Sequence, residues 1–293
     1  MIVLVRLLGL LSLGMAQRIG RILGWSLWIR RTRAREVARV NLALTYPHLS
    51  EQERNQMLRN TLRHNGMVGT EMGVFWGKEI SDVLGLIRQV HNSQLLDEAL
   101  ADTRGLLILA PHIGNWEQLN MYLSDRCRLT IMFKPAKNPY FDEWMRRRRE
   151  KGGATLVPTT ASGVRTLFKT LQKGGVAGFL PDQEPQRRSG VMAPFMGVPT
   201  LTPRMPYELL QRTGARAVMA YALRRPDASG FDIHFIEPDA EIYSDNAEAA
   251  CAALNRSVEQ VVAAAPEQYQ WTYKRFKRQP DGIPSPYAAA GVP

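Results

Sequence analysis

The sequence predicts an α/β protein with a mostly parallel central sheet flanked by helices, preceded by an N-terminal hydrophobic membrane-anchor helix. Three observations predict this class. Short apolar runs alternate with helical segments along the chain, which is typical of strand–helix–strand units. These runs are apolar throughout, which indicates strands covered on both faces. The first 29 residues are mostly apolar and are followed closely by several arginines.

The predicted elements follow a regular order. After the anchor, residues 33–77 form a helical region punctuated by Pro47, in which Ser50 and Glu53 form a capping box. The predicted strands are Leu106–Ala110, Leu129–Phe133, Thr155–Val157, Val176–Leu180, Ala215–Leu223 and Phe231–Ile236. The predicted helices are Asn115–Leu123, Tyr140–Lys151, Ser162–Gln172, Thr202–Arg212 and Asn246–Ala264. We divide the chain into an anchor at 1–29, one α/β domain at 30–280 and a loose tail at 281–293.

The N-terminal segment has the composition of a helix at a membrane surface. Its longest uncharged run, Leu7–Gln17, is shorter than the ~20 residues that a spanning helix needs. A cleaved signal peptide is the alternative, because Gly14-Met15-Ala16 resembles a cleavage site. We favour a retained anchor, since the helical pattern and the basic residues continue to Arg35. The pattern fits both a spanning helix and one lying flat, with the arginines on the cytoplasmic side.

Composition indicates an anionic partner. Thirty-eight basic residues against 27 acidic ones give a net charge of +11 at pH 7, which suits a membrane surface, a phosphorylated substrate or an acidic protein. A nucleic acid is disfavoured because no aromatic stacking motif accompanies the charge. The two cysteines, Cys127 and Cys251, are far apart and form no C-x-x-C pattern. We therefore expect a reducing compartment and neither metal nor redox cofactor.

The most informative segment follows the apolar run at 106–110, where four residues with chemical or conformational roles come close together: His112, Gly114, Asn115 and Glu117. Catalytic groups lie beyond the carboxyl ends of parallel strands, so His112 is a candidate general base. Residues five apart on one helix do not face each other. His112 is therefore expected in the loop, and Glu117 in the first turn of a helix capped by Asn115. A histidine that only satisfies a loop carbonyl is the alternative, which this context disfavours.

This segment resembles the His-x4-acid signature of the glycerolipid acyltransferase superfamily. Other segments resemble one of its branches, the bacterial late acyltransferases of lipid A biosynthesis: 133–139, 180–183, 194–199 and 265–277. The last of these is the most specific match, and the resemblance covers nearly the whole chain. Tyr273 departs from the family pattern, which has a histidine before the basic pair.

The resemblance implies an acyltransferase domain at 30–280 and a mechanism for it. His112 would remove the proton from an acceptor hydroxyl, and Glu117 would hold the imidazole and stabilise its cation. The oxygen would attack a thioester and form a tetrahedral oxyanion. Backbone N–H groups near 114–117, helped by Arg149, are expected to stabilise that charge.

Four further residues are expected to contact the substrate. Asn115 starts the helix beside the base, and Arg149 falls where the family has an arginine. Asp182 follows the strand at 176–180, so we expect it in the same cleft as His112. Arg188 lies in a turn-rich loop where it could grip a phosphate or an acidic carrier, or serve only as a surface residue.

The resemblance also implies partners and a location. The donor would be acyl carrier protein or acyl-CoA, and the acceptor a membrane-embedded lipid A precursor at the cytoplasmic face of the bacterial inner membrane. Docking of the acidic carrier would rest on basic residues such as Arg146, Arg147, Arg187 and Arg188. A different phospholipid, glycolipid or aminolipid acceptor is the first alternative. A non-catalytic, basic membrane-binding protein is the second.

Overall fold

The computed structural model of the protein describes residues 2–136, 138–150 and 152–292. Its centre is a seven-stranded sheet with the strand order β1-β9-β8-β2-β5-β3-β4. The strands are β1 Ile87–His91, β2 Leu106–Leu109, β3 Leu129–Phe133, β4 Thr155–Pro158, β5 Val176–Phe179, β8 Arg216–Arg224 and β9 Phe231–Ile236. All neighbours pair in parallel except β8 and β9, which are antiparallel. The predicted α/β class with a mostly parallel sheet is confirmed.

Strand β2 lies at the centre of the sheet and separates two hydrophobic cores. Its side chains alternate between the faces: Leu107 and Leu109 join one core, and Leu106 and Ile108 join the other. All four are buried. Because both faces of the sheet are covered, a strand at this position needs an uninterrupted apolar run. The sequence therefore predicted the strand to within one residue.

Helices cover both faces. They are α3 Arg33–Thr45, α4 Glu51–Gly77, α5 Ile80–Leu84, α6 Ser93–Ala101, α7 Trp116–Arg126, α8 Pro139–Glu150, α9 Ala161–Gln172, α10 Met205–Thr213, α11 Ala247–Ala264 and α12 Pro286–Ala289. The predicted capping box is present: the Ser50 hydroxyl accepts from the backbone N–H of Glu53, whose carboxylate accepts from the backbone N–H of Ser50. The predicted end of α8 at Lys151 lies outside the described residues.

A hairpin of β6 Gly190–Phe195 and β7 Val198–Pro203 was not predicted. Several prolines interrupt it, and proline is uncommon within paired strands. Its turn places Met196 and Gly197 at positive φ, the geometry of a tight hairpin turn. The predicted helix start at Thr202 is wrong, because Thr202 belongs to β7 and pairs with Val191. The helix begins at Met205 instead.

The predicted single anchor helix is instead two helices, α1 Ile2–Gly9 and α2 Leu13–Ile29. A short non-helical segment separates the two helices and ends at Ser12. The Ser12 hydroxyl accepts from the backbone N–H of Met15 and caps α2. Within the part of the chain that the structure describes, none of the helices combines the length and apolar character needed to cross a bilayer.

Helix α2 packs closely on α4 through glycines. A Cβ added at Gly24 would lie 2.2 Å from the backbone oxygen of Leu62, so only glycine allows this approach. Because small residues face inward, the large apolar side chains of α2 point to solvent. Six of them are more than a third exposed: Met15, Ile19, Ile22, Leu23, Trp25 and Ile29.

The C-terminal tail, expected to be loose, is held to the domain by Tyr287 in α12. Its ring is 1% exposed. Its hydroxyl accepts from the backbone N–H of Phe276 at 3.0 Å and donates to Asn41 at 2.5 Å. This segment therefore closes one hydrophobic core.

Candidate active site

His112 lies in the loop between β2 and α7, as predicted, and is anchored twice by Asp182. Its Nδ1 atom is 2.7 Å from Oδ1 of Asp182, and its backbone N–H donates to Oδ2 at 2.8 Å. Its Nε2 atom lies 3.3 Å from the Gln183 amide nitrogen. The ring is oriented through Nδ1, so Nε2 is the nitrogen that faces the cleft.

The Asp182 carboxylate comes from the segment after β5, the neighbour of β2 in the sheet. It is 3% exposed. Burial acts to raise the pKa of Asp182, but its interactions with His112 and the charge of Arg275 outweigh burial and hold that pKa below its usual value. Asp182 was expected in the same cleft as His112, and the structure brings the two into direct contact.

The loop after β2 is fixed by the conformation of Gly114. Its φ is +57°, and a Cβ there would lie 1.8 Å from the backbone oxygen of Ala222. The next residue, Asn115, accepts with its side chain from the N–H groups of Glu117 and Gln118, both at 3.1 Å. Asn115 is thus the predicted N-cap of α7, and it is fully buried.

Glu117 is in the first turn of α7, as expected, but its partners differ from the prediction. Its carboxylate accepts from Arg149 Nε at 3.1 Å on both oxygens and from the terminal Nη2 of Arg149. Trp76 donates its indole N–H to the same carboxylate at 3.2 Å. Sequence reasoning expected Glu117 to hold the imidazole of His112, whereas Asp182 is the residue that contacts its Nδ1 atom. A spacing of five residues places Glu117 beside the site, where it binds the arginine.

The backbone N–H groups that were expected to stabilise the oxyanion form other hydrogen bonds in the structure. The N–H of Gly114 donates to the Gln268 carbonyl at 3.1 Å, and that of Asn115 donates to the Ala222 carbonyl at 2.9 Å. The N–H of Glu117 is held by the N-cap. Three of the four backbone donors at 114–117 therefore hold the loop in place and do not point toward a substrate.

A buried ion pair that sequence reasoning missed holds this loop from behind. Arg224, at the end of β8, donates to both oxygens of Glu71 at 2.7 and 2.8 Å and to the Gly114 carbonyl at 2.6 Å. Glu71 also accepts from Asn115 and from Gln17 of α2, each at 2.8 Å. Glu71 is inaccessible to solvent. One sequence signal could have indicated this ion pair: an acidic residue, Glu71, at an inward-facing position of α4. Carboxylates are rarely buried without a partner.

Two cavities meet at His112. The first, of about 190 Å³, is mostly apolar and runs between α7 and strands β2, β3 and β5. Trp116, Glu117 and Arg149 lie along it together with leucine, isoleucine and phenylalanine side chains. The Trp116 ring packs edge-on against the imidazole of His112, with 5.0 Å between the ring centroids.

The second cavity, of about 710 Å³, is also lined by His112 and has both polar and apolar side chains around it. Lys134, Thr160, Gln183 and Arg188 are among its lining residues. Within the described residues, neither Lys134 nor Arg188 forms an ion pair. Two positive charges at one cavity provide a favourable environment for an anionic group.

Three of the four arginines predicted to bind a carrier are paired within the chain. Arg146 pairs with Glu150 at 3.1 Å, Arg147 with Glu143 at 2.8 Å, and Arg187 with Asp281. Arg188 differs from them, since it lines the second cavity. Among the residues described, no cluster of three His, Cys, Asp or Glu side chains is arranged to hold a metal ion.

Comparison with known proteins identifies relatives that match most of the chain. Residues 1–278 match the family described as bacterial lipid A biosynthesis acyltransferase. The chain is 30% identical over 264 residues to the lipid A biosynthesis lauroyltransferase of Escherichia coli (strain K12), covering 88% of this chain and 83% of that enzyme. It is 30% identical over 258 residues to the palmitoleoyltransferase of the same strain, covering 87% and 82%. With the myristoyltransferase of that strain, the identity is 23% over 265 residues.

Proposed function

The chain belongs to the bacterial lipid A biosynthesis acyltransferase family, and on that premise we propose that it transfers a fatty acyl chain from a thioester to a hydroxyl of a lipid A precursor. The observation that carries the proposal is the position of the His112–Asp182 pair where an apolar cavity meets a second cavity lined by Lys134 and Arg188. An alkyl chain suits the first cavity, and an anionic glycolipid or donor head suits the second.

His112 acts as the general base. Its Nε2 atom takes the proton from the acceptor hydroxyl while the oxygen attacks the thioester carbonyl. Asp182 holds the imidazole through Nδ1 and stabilises the imidazolium that forms. The same proton then passes to the departing thiolate, so the carbon–sulfur bond breaks as the ester forms and the protons balance.

Side chains stabilise the oxyanion. Arg149 and Lys134 line the apolar cavity together with His112, and a positive charge near the thioester oxygen favours the tetrahedral state. Glu117 holds Arg149 in place with a two-oxygen contact that only a planar guanidinium can make fully. Glu117 thus acts through Arg149 rather than through His112.

The donor is a thioester on acyl carrier protein, with acyl-CoA as the competing donor. The net charge of +11 favours association with an acidic carrier. Arg188 and Lys134 at the second cavity suit a phosphate, whether it belongs to the phosphopantetheine arm or to the acceptor. Comparing transfer rates from the two thioesters of one acyl chain, at low and high salt, separates the donors.

The protein acts at a membrane surface, on the cytoplasmic face of the bacterial inner membrane. The supporting feature is the apolar outer face of α2, which exposes Ile22, Trp25 and Ile29 next to arginines. A basic helix with such a face lies in the headgroup region. Its acceptor is embedded in the same membrane, so the helix would bring the site to its substrate.

Lipid mass spectrometry tests the proposed function. We expect cells without the protein to lose one secondary acyl chain from lipid A, and a plasmid copy to restore it. A plasmid carrying the His112→Ala variant should not restore it. Loss of an acyl chain from a phospholipid or aminolipid instead would reassign the acceptor, and an unchanged lipid profile would contradict acyl transfer.

A further inference from the structure

A third cavity, of about 300 Å³, lies between helices α2 and α4 and the end of strand β8. Helix α2 lines it with Gln17 and Arg21, which are one turn apart. Helix α4 contributes four residues with the spacing of a single helix face: Asn60, Arg63, His64 and Met67. His112 is not among the lining residues, so this cavity is separate from the acyl-transfer site.

The two helices that form this cavity are held together by glycine contacts. A Cβ added at Gly24 would lie 2.6 Å from the Cα atom of Arg63. One added at Gly20 would lie 2.5 Å from the Cα atom of Met67. The backbones of α2 and α4 therefore touch directly beside the cavity. As a result, Arg21 and Arg63 are carried by two closely packed helices rather than by loops.

The cavity carries positive charge that the chain does not neutralise. Its charged lining side chains are Arg21, Arg63, Arg224, Arg225 and Glu267. Two of the arginines are paired with carboxylates: Arg224 with Glu71 at 2.7 Å, and Arg225 with Asp232 at 3.4 Å. Within the part of the chain that the structure describes, neither Arg21 nor Arg63 forms an ion pair. Glu267 offsets one of these two charges, so the cavity keeps a net positive charge and favours an anion.

The imidazole of His64 responds to this positive charge. Burial, together with the charges of Arg224 and Arg21, lowers the pKa of His64 to about 3. Its Nδ1 atom is buried and has no hydrogen-bond partner among the described residues. An anion in the cavity would offset the two arginine charges and raise this pKa. The imidazole is therefore a natural reporter of whether the cavity is occupied.

The cavity lies beside the apolar outer face of α2. Ile22 directly follows Arg21 and is 65% exposed, and Trp25, one turn after Arg21, is 54% exposed. A basic helix with such a face lies in the headgroup region of a membrane. At that depth, Arg21 meets the phosphate groups of lipids, whose oxygens match the two-pronged geometry of a guanidinium.

We propose that the cavity between α2 and α4 binds the phosphate group of a membrane phospholipid through Arg21 and Arg63. The proposal rests on the membrane location proposed above and not on the chemistry of acyl transfer. Arg224 lines the cavity and also donates to the Gly114 carbonyl at 2.6 Å. The bound lipid would therefore lie behind the loop that carries His112.

Vesicle binding by two double variants of equal net charge tests this site. Arg21→Gln/Arg63→Gln removes the two unpaired charges of the cavity. Arg18→Gln/Arg30→Gln removes two exposed charges from α2 and its C-terminal cap, neither of which lines the cavity. On phosphatidylcholine vesicles that contain phosphatidylglycerol, we expect the first variant to bind at least about tenfold more weakly than the second, which corresponds to about 1.4 kcal/mol. Equal affinities would overturn the proposal, because net charge alone would then explain the binding.

Glu267→Gln tests the same site with a gain of binding, which a folding defect cannot produce. This change removes the carboxylate that lines the cavity. We expect the variant to bind the same vesicles more tightly than the wild-type protein does. Unchanged or weaker binding would count against an anion site in this cavity.

Two soluble probes distinguish a lipid headgroup from free phosphate. Titrating the wild-type protein with short-chain phosphatidylglycerol should shift the imidazole ¹⁵N resonances of His64, and inorganic phosphate should do so only at higher concentration. Equal affinity for inorganic phosphate would refute the lipid assignment, and no shift with either probe would refute the site. Absence of acyl transfer by the wild-type protein would contradict the proposed function, whereas the vesicle comparison would still decide this proposal.

Discussion

His112 Nδ1 and Asp182 Oδ1 lie 2.7 Å apart although the two residues are separated by 70 positions in the sequence. They meet because β2 and β5 are parallel neighbours, so the segments after both strands emerge at the same edge of the sheet. The carboxylate also accepts from the backbone N–H of His112. One aspartate therefore sets both the position of the loop and the orientation of the ring.

We predict that Asp182→Asn reduces turnover by about 10²–10⁴-fold. The amide can donate to Nδ1 and would then select the wrong tautomer of His112, leaving the proton on the nitrogen that should accept one. Steady-state acyl transfer by the purified variant measures this. Asp97→Asn, at a carboxylate whose side chain is 51% exposed, is the matched control and should retain wild-type turnover.

Asp182 also predicts how stability depends on pH. Because its pKa is lowered in the folded protein, its contribution to the free energy of unfolding is fully present above the ordinary value of 3.8. That contribution is lost as the pH falls through the folded-state pKa. Denaturant unfolding should give wild type and Asp182→Asn stabilities that differ most above about pH 4. The two curves should converge in acid, and a constant difference down to the lowest pH would contradict this assignment.

The Glu117–Arg149 pair predicts a non-additive double mutant. Arg149→Met leaves the Glu117 carboxylate, which is 2% exposed, without its cation. Removing one partner of such a buried pair costs about 3–5 kcal/mol, and the partial exposure of Arg149 places this case toward the lower value. Adding Glu117→Gln should recover much of the stability but not the turnover. A double-variant loss equal to the sum of the two single-variant losses would mean that the two side chains are not coupled.

The Arg224–Glu71 pair predicts that a residue far from the chemistry controls turnover. Arg224→Met removes the donor to the Gly114 carbonyl and leaves Glu71 buried with fewer partners. We expect lower stability and lower turnover. In Arg224→Met/Glu71→Gln, stability should rise again because no buried charge remains, while turnover stays low because Gly114 still lacks its donor. Wild-type turnover in the double variant would show that the pair serves stability alone.

The outer face of α2 predicts membrane binding without an effect on folding. Substituting Ile22, Trp25 and Ile29 with serine removes exposed apolar surface and leaves the glycine contacts with α4 intact. Sedimentation with anionic lipid vesicles should fall sharply, while the unfolding midpoint changes little. The three substitutions test membrane binding more specifically than deletion of residues 1–29. Gln17 contacts Glu71, so the deletion would also disturb the site. Full vesicle binding by the triple serine variant would place the membrane-binding surface elsewhere.

Sequence reasoning identified the parts of the fold that follow from local pattern. Strand β2, the capping box at Ser50 and the N-cap at Asn115 each depend on residues close in sequence, and each was predicted. Edge strand β1 was missed because Arg88 and Gln89 interrupt its apolar pattern. The short hairpin was hidden by its prolines.

The site residues also divide into those indicated by local sequence and those that depend on contacts between distant segments. His112 and Asp182 were found because both follow apolar strands. The partner of each was less predictable, since hydrogen bonding across the sheet depends on which strands are neighbours. Glu71 and Arg224 are 153 positions apart in the sequence, so no local spacing could have indicated that they meet behind the loop that carries His112.

Acyl transfer by His112→Gln measures the central claim most directly. Glutamine can replace the hydrogen bond to Asp182 but cannot accept the hydroxyl proton, so the fold and the cavity should remain while the base is lost. We predict a wild-type unfolding midpoint, unchanged donor binding, and turnover lower by at least about 10²-fold. Turnover within a few-fold of wild type by a folded His112→Gln protein would contradict the assignment of His112 as the general base.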